Sequence, residues 1–367
     1  MLKTREFKKL GIKTKLLGFG GMRFPTINGE IDEAKAEEMI DTAYKAGVNY
    51  FDTAYVYHNG KSESFVGKVL AKYPRDTYYI ATKLPVWNLK EKEDVKKVID
   101  EQFARLDKEV IDFYLLHSMQ KKAWDKAVEF EALKVIEEYR KAGKIKYVGF
   151  SFHDSYEVFE EIINSYDWDF CQIQYNYVDT EIQAGLKGYK LTEEKGIPLV
   201  IMEPIKGGSL ASLPKEVSEP FRQIHPEWSD ASWALRFVAS HENVKVILSG
   251  MSTLEQVKDN LATFENLEDL TSCELETINK NKTAFILDKD IERAYTYLKK
   301  ESTITSKINE IKTNKNKRNK KKRKHNNTIH TIGCDNRSPQ HNSRNYNINN
   351  RTHRHSVRNK KQQERNN

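Results

Sequence analysis

Four side chains that can hold charge or carry a proton stand just after three short apolar segments. Asp52 and Tyr57 follow the segment VNYF, Lys83 follows YYIA, and His117 follows IDFYLL. Each segment has the length and composition of a fully buried parallel strand. If the strand ends meet, a carboxylate, a phenol, an ammonium and an imidazole surround one point. There they could stabilise negative charge on an oxygen atom and protonate it.

The elements between these residues predict how the strand ends come together. Strand-like segments occur at residues 15–18, 48–51, 77–81, 111–116, 146–149, 170–173, 198–201 and 244–248. Amphipathic helical patterns occur at residues 31–46, 63–73, 93–106, 130–142, 156–165, 184–194, 231–240 and 254–264. Eight strand–helix units in about 260 residues predict an α/β fold, the (β/α)8 TIM barrel, whose strand C-termini ring one pocket. A doubly wound open sheet is the alternative, but LLGFGGMRF at residues 16–24 does not match its GxGxxG phosphate loop.

The ends of these segments support the assignment. Gly47, Gly143 and Gly196 each follow a helical pattern, as is typical of helix C-caps, and Asp32 precedes the first helix as an N-cap. Before the first barrel strand, residues 5–12 can form a hairpin strand with the residues that follow them, and this hairpin would cover the barrel floor.

The charge of the chain is unevenly distributed. Residues 301–367 contain 18 Lys and Arg against 4 Asp and Glu, a net of +14, so the overall +8 leaves −6 on residues 1–300. We predict a barrel at residues 1–300 and a disordered Lys/Asn-rich tail at residues 301–367, which is too poor in apolar residues to fold. The run KNKRNKKKRKH is typical of a nuclear-localisation or nucleic-acid patch, or of out-of-frame translation of an AT-rich gene. Nucleic acid is therefore expected as a partner only non-specifically, through this tail.

Cysteine usage and the absence of long apolar segments indicate the compartment. Cys171, Cys273 and Cys334 are far apart and odd in number, which is typical of a reducing environment. The first residues, MLKTREFKKLG, lack the apolar region of a signal peptide, and no stretch approaches the length of a membrane span. We expect a cytoplasmic protein with no membrane partner, and the sequence leaves the oligomeric state open.

Seven separated motifs resemble the aldo-keto reductase family. FDTAYVYHNGKSE (51–63) resembles the family signature around its aspartate and tyrosine, while ATK (81–83) and LLHS (115–118) resemble the segments that carry its lysine and histidine. GFSFHD (149–154), QIQYN (172–176), MEPIKGG (202–208) and SGMSTLEQVKDN (249–260) resemble its later cofactor-binding segments, in the right order. The resemblance covers roughly residues 4–285, and it is specific because the segments agree in identity, order and strand register.

The resemblance implies an oxidoreductase that reduces an aldehyde or ketone to an alcohol by hydride transfer from NAD(P)H. Tyr57 would donate the proton. A free phenol, with a pKa of about 10, is a poor acid at neutral pH, and a nearby Lys83 is expected to lower that pKa. Asp52 would pair with Lys83 and keep it charged, and His117 would donate a hydrogen bond to the substrate carbonyl. Tyr55 is nearby, but the motif spacing selects Tyr57.

The resemblance also implies which residues hold the dinucleotide. Ser151 and Gln174 would hold the nicotinamide carboxamide with Asn176 as support, and Met202 stands where family members commonly stack an aromatic ring. The other predicted contacts are Gly21, Met22, Arg23 and Asp52 near the first strands, Pro204, Ile205, Gly207 and Gly208 over the pyrophosphate, and Ser249, Gly250, Met251, Thr253, Gln256 and Asn260 around the last helix. The N-terminus of that helix favours anions.

Two departures from the family concern the cofactors. Many members place a lysine and an arginine against the adenosine 2′-phosphate, where this chain has Gly250 and Gln256. NADP(H) is still favoured over NAD(H), but the smaller number of cations weakens that preference. The branch that the barrel most resembles often carries a C-terminal ferredoxin-like module, which needs closely spaced cysteines. Only Cys334 follows Cys273, so we expect no iron–sulfur cluster. His117 and His153 lack the ligand spacing of a zinc site, so we expect no metal site either.

Other functions remain open at this stage. One is a non-catalytic, dinucleotide-binding barrel that senses redox state, although a sensor need not keep all four groups. Another is a nucleic-acid-binding arm carried by the barrel. The substrate is predicted only as a small-molecule carbonyl compound, because loops of variable length set selectivity in barrels. We expect His58 and His153 in the pocket wall, and Trp87, Phe24 and Trp124 could line the pocket.

Overall fold

Parallel strands close into a barrel that is surrounded by helices. The structure is a computed structural model that describes residues 1–265, 267–287 and 289–290, so the predicted tail at 301–367 lies outside the described residues. Its strands are β1 (Thr4–Phe7), β2 (Ile12–Lys15), β3 (Leu17–Gly20), β4 (Thr26–Ile27), β5 (Glu30–Ile31), β6 (Tyr50–Asp52), β7 (Tyr79–Leu84), β8 (Ile111–Met119), β9 (Ile145–Phe152), β10 (Phe170–Gln174), β11 (Leu199–Met202) and β12 (Val244–Ser249). Its helices are α1 (Glu33–Lys45), α2 (Ser62–Leu70), α3 (Glu93–Leu106), α4 (Lys121–Glu129), α5 (Ala132–Lys141), α6 (Tyr156–Asn164), α7 (Gly185–Glu194), α8 (Lys215–Ile224), α9 (Asp230–Ala239) and α10 (Leu254–Glu265). Residues 272–287 are also helical.

The barrel consists of β3 and β6 to β12. Each of these strands pairs in parallel with its neighbour, and β12 closes the ring against β3. The predicted (β/α)8 fold is therefore confirmed, and each predicted barrel strand is present. Strand β8 continues to Met119, beyond the predicted end at residue 116. Its pairing with β9 is irregular between Leu116 and Met119, where Ser118 has a left-handed φ of 52°.

The predicted N-terminal hairpin is confirmed. Strands β1 and β2 pair antiparallel, with Thr4 opposite Lys15 and Phe7 opposite Ile12. The Phe7 side chain is fully buried and lies 5.7 Å from the Phe113 ring, centroid to centroid. The hairpin therefore contributes an aromatic side chain to the barrel interior and covers the floor, the end opposite the strand C-termini.

The barrel interior is apolar at its centre and polar one layer higher. Its central cluster includes Tyr50, Ala81, Leu115, Phe170 and Val200. Side chains in a strand return to the same face every second residue. The next inward positions are therefore those two residues further along the same strands: Asp52, Lys83, His117, Gln172 and Met202. This alternation carries the polar groups to the mouth of the barrel while the hydrophobic layer below excludes water.

The sequence analysis missed α4, α8 and the helical segment at residues 272–287. Helix α4 directly precedes α5, and the two are separated by Phe130 and Glu131. The φ of 51° at Glu131 breaks the helical path. The pattern was interpreted as a single helix that begins at residue 130. Helix α8 contains Pro220 in its interior, a residue that normally marks the end of a helix. The other helices match the eight predicted ones, with ends that differ by a few residues, and Asp32 caps α1 as predicted.

A second apolar cluster lies beside the barrel. Phe221 of α8 and Trp233 of α9 stack with their ring centroids 4.4 Å apart, and Ile278 and Phe285 of the last helical segment are buried against this cluster. The segment after α10 is thus part of the folded unit. Within the described residues, no helix has both the length and the apolar composition required to cross a membrane.

Candidate active site

A buried ion pair lies at the centre of the site. The Lys83 Nζ donates to Asp52 Oδ1 at 2.5 Å and to the backbone oxygen of Thr53 at 2.8 Å, and Lys83 has no solvent exposure. Burial lowers the pKa of Lys83, but Asp52 and Tyr57 together outweigh this effect, and the pKa is raised overall. Lys83 therefore carries its positive charge in a water-excluded position, where it acts most strongly on its neighbours.

Tyr57 extends the series of contacts that leads from the Asp52 carboxylate through Lys83 to the cavity. The Lys83 Nζ lies 3.4 Å from the Tyr57 hydroxyl oxygen and 4.9 Å from the centre of its ring. Burial raises the pKa of Tyr57 and the charge of Lys83 opposes the rise, so the net direction is upward. The expectation that Lys83 lowers this pKa describes its own contribution correctly, but the overall shift was predicted in the wrong direction because desolvation is larger.

The loop that carries Tyr57 is held in an unusual backbone conformation. A 3-10 turn spans Tyr57–Gly60, within which His58, Asn59 and Gly60 have φ values of 49°, 55° and 86°. A Cβ added at Gly60 would lie 3.2 Å from the Arg105 guanidinium. Glycine is therefore favoured at this position both by the left-handed backbone and by the close approach of Arg105.

Tyr55 points away from the site, as the motif spacing predicted. Its hydroxyl donates to Glu101 Oε2 at 2.8 Å, on helix α3. Arg105 stacks on the Tyr55 ring at 4.0 Å and donates to the Tyr55 backbone oxygen at 3.0 Å. The two tyrosines thus face opposite sides of one loop. Tyr55 anchors the loop to α3, and Tyr57 faces the cavity.

A buried hydrogen-bond network supports the lysine from below. Glu63 is fully buried, and its Oε1 accepts from Thr82 Oγ1 at 2.6 Å and from Gln102 Nε2 at 2.8 Å. The same Gln102 nitrogen donates to the Lys83 backbone oxygen at 3.0 Å, and Tyr114 donates its hydroxyl to Gln102 Oε1. Because each member has a partner, the network fixes the end of β7 and the position of Lys83.

His117 is the fourth member of the constellation. Its ring centroid lies 5.8 Å from that of Tyr57 and 4.9 Å from that of Trp87. Burial, then the nearby charge of Lys83 and the proximity of His153, lower the pKa of His117 well below its ordinary value. The imidazole is therefore neutral at physiological pH and can donate one N–H. The structure thus brings Asp52, Tyr57, Lys83 and His117 together.

Asp52, Tyr57 and His117 border a cavity of about 840 Å³ at the mouth of the barrel, and Lys83 lies buried behind them. Most predicted cofactor residues line it, namely Met22, Arg23, Asp52, Ser151, Met202, Pro204, Ile205, Gly207, Gly208, Ser249, Gly250, Met251, Gln256 and Asn260. His58, His153 and Trp87 also line it, as expected of pocket wall, whereas Phe24 and Trp124 are buried in the core. The volume is in the range of small-molecule and cofactor sites.

Gln174 and Asn176 do not reach the cavity, and their predicted carboxamide contacts need correction. Gln174 Nε2 donates to Asp179 Oδ2 at 2.9 Å, and Gln174 Oε1 accepts from Gln183. Asn176 Nδ2 also donates to Asp179, at 3.0 Å. Both amides are satisfied within the loop that follows β10, so they are not available to a ligand in the cavity.

Gly21 and Thr253 also lie outside the cavity lining. The Gly21 nitrogen donates to the Asp52 backbone oxygen at 2.7 Å, so the glycine packs against the end of β6. Thr253 Oγ1 accepts from the Gln256 nitrogen at the start of α10. These two residues shape the backbone around the site.

Gln172 is the residue that the sequence analysis missed. It lines the cavity, its Nε2 contacts the Met202 sulfur at 3.4 Å, and its buried Oε1 has no hydrogen-bond partner among the described residues. The available signal was the strand period, because Gln172 stands two positions after Phe170, which is directed to the barrel interior. Glu203, which directly follows Met202 and also lines the cavity, was not singled out either.

The residues present fit a nicotinamide dinucleotide. Near the tetrad, His117 Nδ1 and Gln172 Oε1 are buried polar atoms without a partner in the described part of the chain. The Gln172 oxygen can accept from the N–H group of a carboxamide, and the imidazole nitrogen, when it carries the proton, can donate to a carbonyl oxygen. At the other end, the start of α10 follows Gly250, where an added Cβ would lie 2.8 Å from Arg23 Cγ. Among residues 1–265, 267–287 and 289–290, no group of three His, Cys, Asp or Glu residues is arranged to hold a metal ion.

Comparison with known proteins identifies the family. The model of the aldo/keto reductase family matches residues 16–282, and the chain belongs to that family, whose members are oxidoreductases that use NAD(P)H. L-galactose dehydrogenase from Arabidopsis thaliana is 25% identical over 304 residues, which cover 73% of this chain and 90% of that protein. NADH-specific methylglyoxal reductase from Escherichia coli (strain K12) is 25% identical over 310 residues, 71% of this chain and 91% of that protein. The holo structure of aldo-keto reductase AKR11C1 from Bacillus halodurans superposes with a TM-score of 0.65 at 27% identity, covering 77% of this chain and 96% of that one.

Proposed function

We propose that this protein reduces an aldehyde or ketone to an alcohol, with Tyr57 as the proton donor. The observation that carries the proposal is the continuous contact from Asp52 through Lys83 to Tyr57, which faces His117 across the mouth of the cavity. A bound NAD(P)H would supply the hydride. The protein itself has to orient the carbonyl, stabilise the developing negative charge on its oxygen and deliver a proton to it.

Each group of the tetrad has a distinct task in this proposal. The neutral His117 donates an N–H to the carbonyl oxygen and sets its direction. Tyr57, whose pKa is raised, holds its proton over the whole neutral range and gives it to the same oxygen as charge builds there. Lys83 stabilises the phenolate that remains, and Asp52 keeps Lys83 charged and directed at Tyr57.

The residues that line the cavity form separate groups for the nicotinamide and for the pyrophosphate of the cofactor. We assign Ser151 and Gln172 to the carboxamide, in place of the earlier pair with Gln174, and Met202 to the face of the nicotinamide ring. Ser151 Oγ accepts from the Ser118 nitrogen at 2.7 Å, which leaves its hydroxyl proton available to an acceptor on the ligand. The loop with Gly207 and Gly208 is assigned to the pyrophosphate.

The adenosine end supports weak discrimination between NADP(H) and NAD(H). Gly250 and Gln256 line this end without a positive charge, and Asp259 adds a carboxylate. Among the described residues that line the cavity, Arg23 is the one lysine or arginine. NADP(H) remains the family expectation, but one relative is named as NADH-specific, so both cofactors belong in the same test.

The proposed substrate is a small carbonyl compound. Relatives are named for L-galactose, for methylglyoxal and for pyridoxal, which are small and polar. In this chain Trp87, His58, His153 and Glu203 border the catalytic end of the cavity, so a polar carbonyl compound would find both an aromatic wall and hydrogen-bonding groups.

The test is a titration followed by a screen. Purified full-length protein is titrated with NADPH and with NADH by fluorescence, and a panel of small aldehydes, ketones and sugars is then screened for cofactor oxidation. We expect saturable binding of at least one dinucleotide and turnover of at least one carbonyl compound. Binding without turnover on any member of a broad panel would favour the redox-sensing alternative, and absence of binding would refute the proposal.

A further inference from the structure

A buried carboxylate connects two loops at the mouth of the barrel. Asp179, in the loop after β10, is 1% exposed, and its oxygens accept from Gln174 Nε2, from Asn176 Nδ2 and from Lys206 Nζ. The two Lys206–Asp179 contacts measure 2.5 and 2.6 Å. Because Lys206 belongs to the loop after β11, this ion pair joins that loop to the loop after β10 at the mouth of the barrel.

The loop after β11 forms one wall of the cavity. Glu203, Pro204, Ile205, Gly207 and Gly208 all line the cavity, whereas Lys206, in the middle of this series, does not. A Cβ added at Gly207 would lie 3.8 Å from the Arg23 guanidinium. Gly207 therefore lies close beside the Arg23 guanidinium in the cavity wall, and the position of the loop determines how closely the two approach.

The backbone of this loop needs external support. Glu203 and Lys206 have left-handed φ values of 53° and 50°, a conformation that non-glycine residues adopt only when their surroundings hold them there. Two contacts supply that support. Lys206 is tied to the carboxylate of Asp179, and Asn176 donates its Nδ2 to the Glu203 backbone oxygen at 3.3 Å. Both lead back to the same loop after β10.

We infer that Lys206 and Asp179 are a positioning pair that holds the loop 203–208 in place beside Arg23 in the cavity wall, and so sets cofactor affinity and release. This inference rests on the proposed function, since it assigns a task to residues near the cofactor path. Lys206 acts through Asp179 and the loop backbone. Breaking the pair should speed cofactor release and leave the chemical step at Tyr57 unchanged.

A direct role for Lys206 would make the opposite prediction for one variant. If its ammonium bound a cofactor phosphate directly, Asp179→Asn would release the lysine and remove a competing negative charge, so NADPH would bind more tightly. If Lys206 positions the loop through Asp179, the same substitution loosens the loop and NADPH binds more weakly. The sign of the change in the dissociation constant therefore separates the two roles.

The experiment measures NADPH binding by fluorescence titration and stopped-flow release in the full-length protein. We expect Lys206→Met and Asp179→Asn each to raise the dissociation constant about tenfold, mainly through faster release. Lys206→Arg should restore most of the affinity. With a carbonyl substrate, the KM for NADPH should rise with the dissociation constant while kcat at saturating NADPH stays within about twofold of the wild type or increases where release limits turnover.

The matched control is Lys96→Met, which breaks the exposed Lys96–Asp100 pair on helix α3 and should leave NADPH binding unchanged. If Lys206→Met alone does not fold, because it leaves the buried Asp179 uncompensated, the double variant Lys206→Met/Asp179→Asn replaces it. Tighter binding by Asp179→Asn, or unchanged binding in the single and double variants, would overturn the inference. Failure of the wild-type protein to bind either dinucleotide would instead refute the proposed function, and this inference with it.

Discussion

The two sides of the cavity are built in different ways. On the side of β6, β7 and β8, the polar groups come from the strands or from a short turn directly after them. The most important of these contacts is the buried Lys83–Asp52 pair, which joins two adjacent strands. On the side of β10, β11 and β12, the walls are irregular loops held to one another by side chains such as Asp179 and Lys206. We expect the strand side to fix the positions of the reacting groups and the loop side to determine how the cofactor is bound and released.

This difference predicts separate effects of substitution. Changes on the strand side should act on kcat, because they alter groups that contact the reacting oxygen. Changes on the loop side should act on how the cofactor is bound, selected and oriented, and with smaller magnitudes. Each of the following experiments tests this difference between the two sides of the cavity, beginning with the largest expected effect.

Tyr57→Phe should lower kcat by about 10²- to 10⁴-fold and leave NADPH affinity nearly unchanged, because only the proton donor is removed. Steady-state kinetics and fluorescence titration measure the two quantities. The matched control is Tyr55→Phe, which removes a hydroxyl from the same loop but breaks only the bond to Glu101. Retention of more than about a tenth of the activity in Tyr57→Phe would exclude Tyr57 as the proton donor.

Lys83→Met should lower kcat by about 10²-fold and change the pH dependence of the reverse reaction, alcohol oxidation. Oxidation requires the phenolate of Tyr57, so its rate rises as pH rises through the pKa of Tyr57. Lys83 opposes the burial that raises this pKa, and without Lys83 the pKa rises further. The ascending limb should therefore move to higher pH, and an unchanged midpoint would contradict the coupling.

The stability of this variant needs its own control. Lys83→Met leaves the buried Asp52 without its counter-ion, a loss of about 3–5 kcal/mol for a buried pair. The double variant Lys83→Met/Asp52→Asn removes both charges and should recover part of the thermal midpoint without recovering activity. Recovery of activity together with stability would show that Lys83 has a structural role only.

The strand side of the cavity could be predicted from the sequence better than the loop side. Tyr50 and Asp52, or Leu115 and His117, stand two residues apart on short strands, and this spacing places the second residue of each pair at the mouth of the barrel. The same spacing places Lys83 after Ala81, so these three members of the tetrad could be predicted without coordinates. Tyr57 lies in the turn after β6 and was selected by the spacing of the family motif. Gln172 and Gln174 obey the same spacing, so periodicity alone could not separate them. The choice depends on Asp179, whose contact with Gln174 arises from the path of a loop.

Helix α8 is another element that local sequence patterns could not predict. Its interior Pro220 favours a break in the helix, whereas in the structure Phe221 stacks on Trp233 and stabilises the helix by tertiary packing. Local propensity is a weak guide where burial of aromatic surface decides the conformation. The expectation for residues 301–367 remains a prediction from composition.

Gln172→Leu tests the assignment of the carboxamide contact to Gln172 in place of Gln174. It removes the buried Oε1 that we assign to the carboxamide, so kcat at saturating NADPH should fall about tenfold through poorer orientation of the nicotinamide. The matched variant is Gln174→Leu, which stands two residues away on the same strand but contacts Asp179 and Gln183. Its kcat should remain close to that of the wild type. A larger loss of kcat in Gln174→Leu than in Gln172→Leu would restore the original assignment.

Gly250→Lys should have the smallest effect, since it adds one exposed cation on the loop side. NADPH should bind about fivefold more tightly relative to NADH, because only NADPH presents a 2′-phosphate there and an exposed charge pair contributes about 1 kcal/mol. An added side chain also displaces Arg23, whose Cγ would lie 2.8 Å from the new Cβ. Gly250→Ala isolates this steric effect and should change both cofactors equally. Fluorescence titration with both dinucleotides gives the ratio, which should fall back towards the wild-type value as salt is added, since the new contact is solvent-exposed. Equal changes for NADPH and NADH in Gly250→Lys would mean that the adenosine 2′-position lies elsewhere, and that the loop side determines affinity without reading the phosphate.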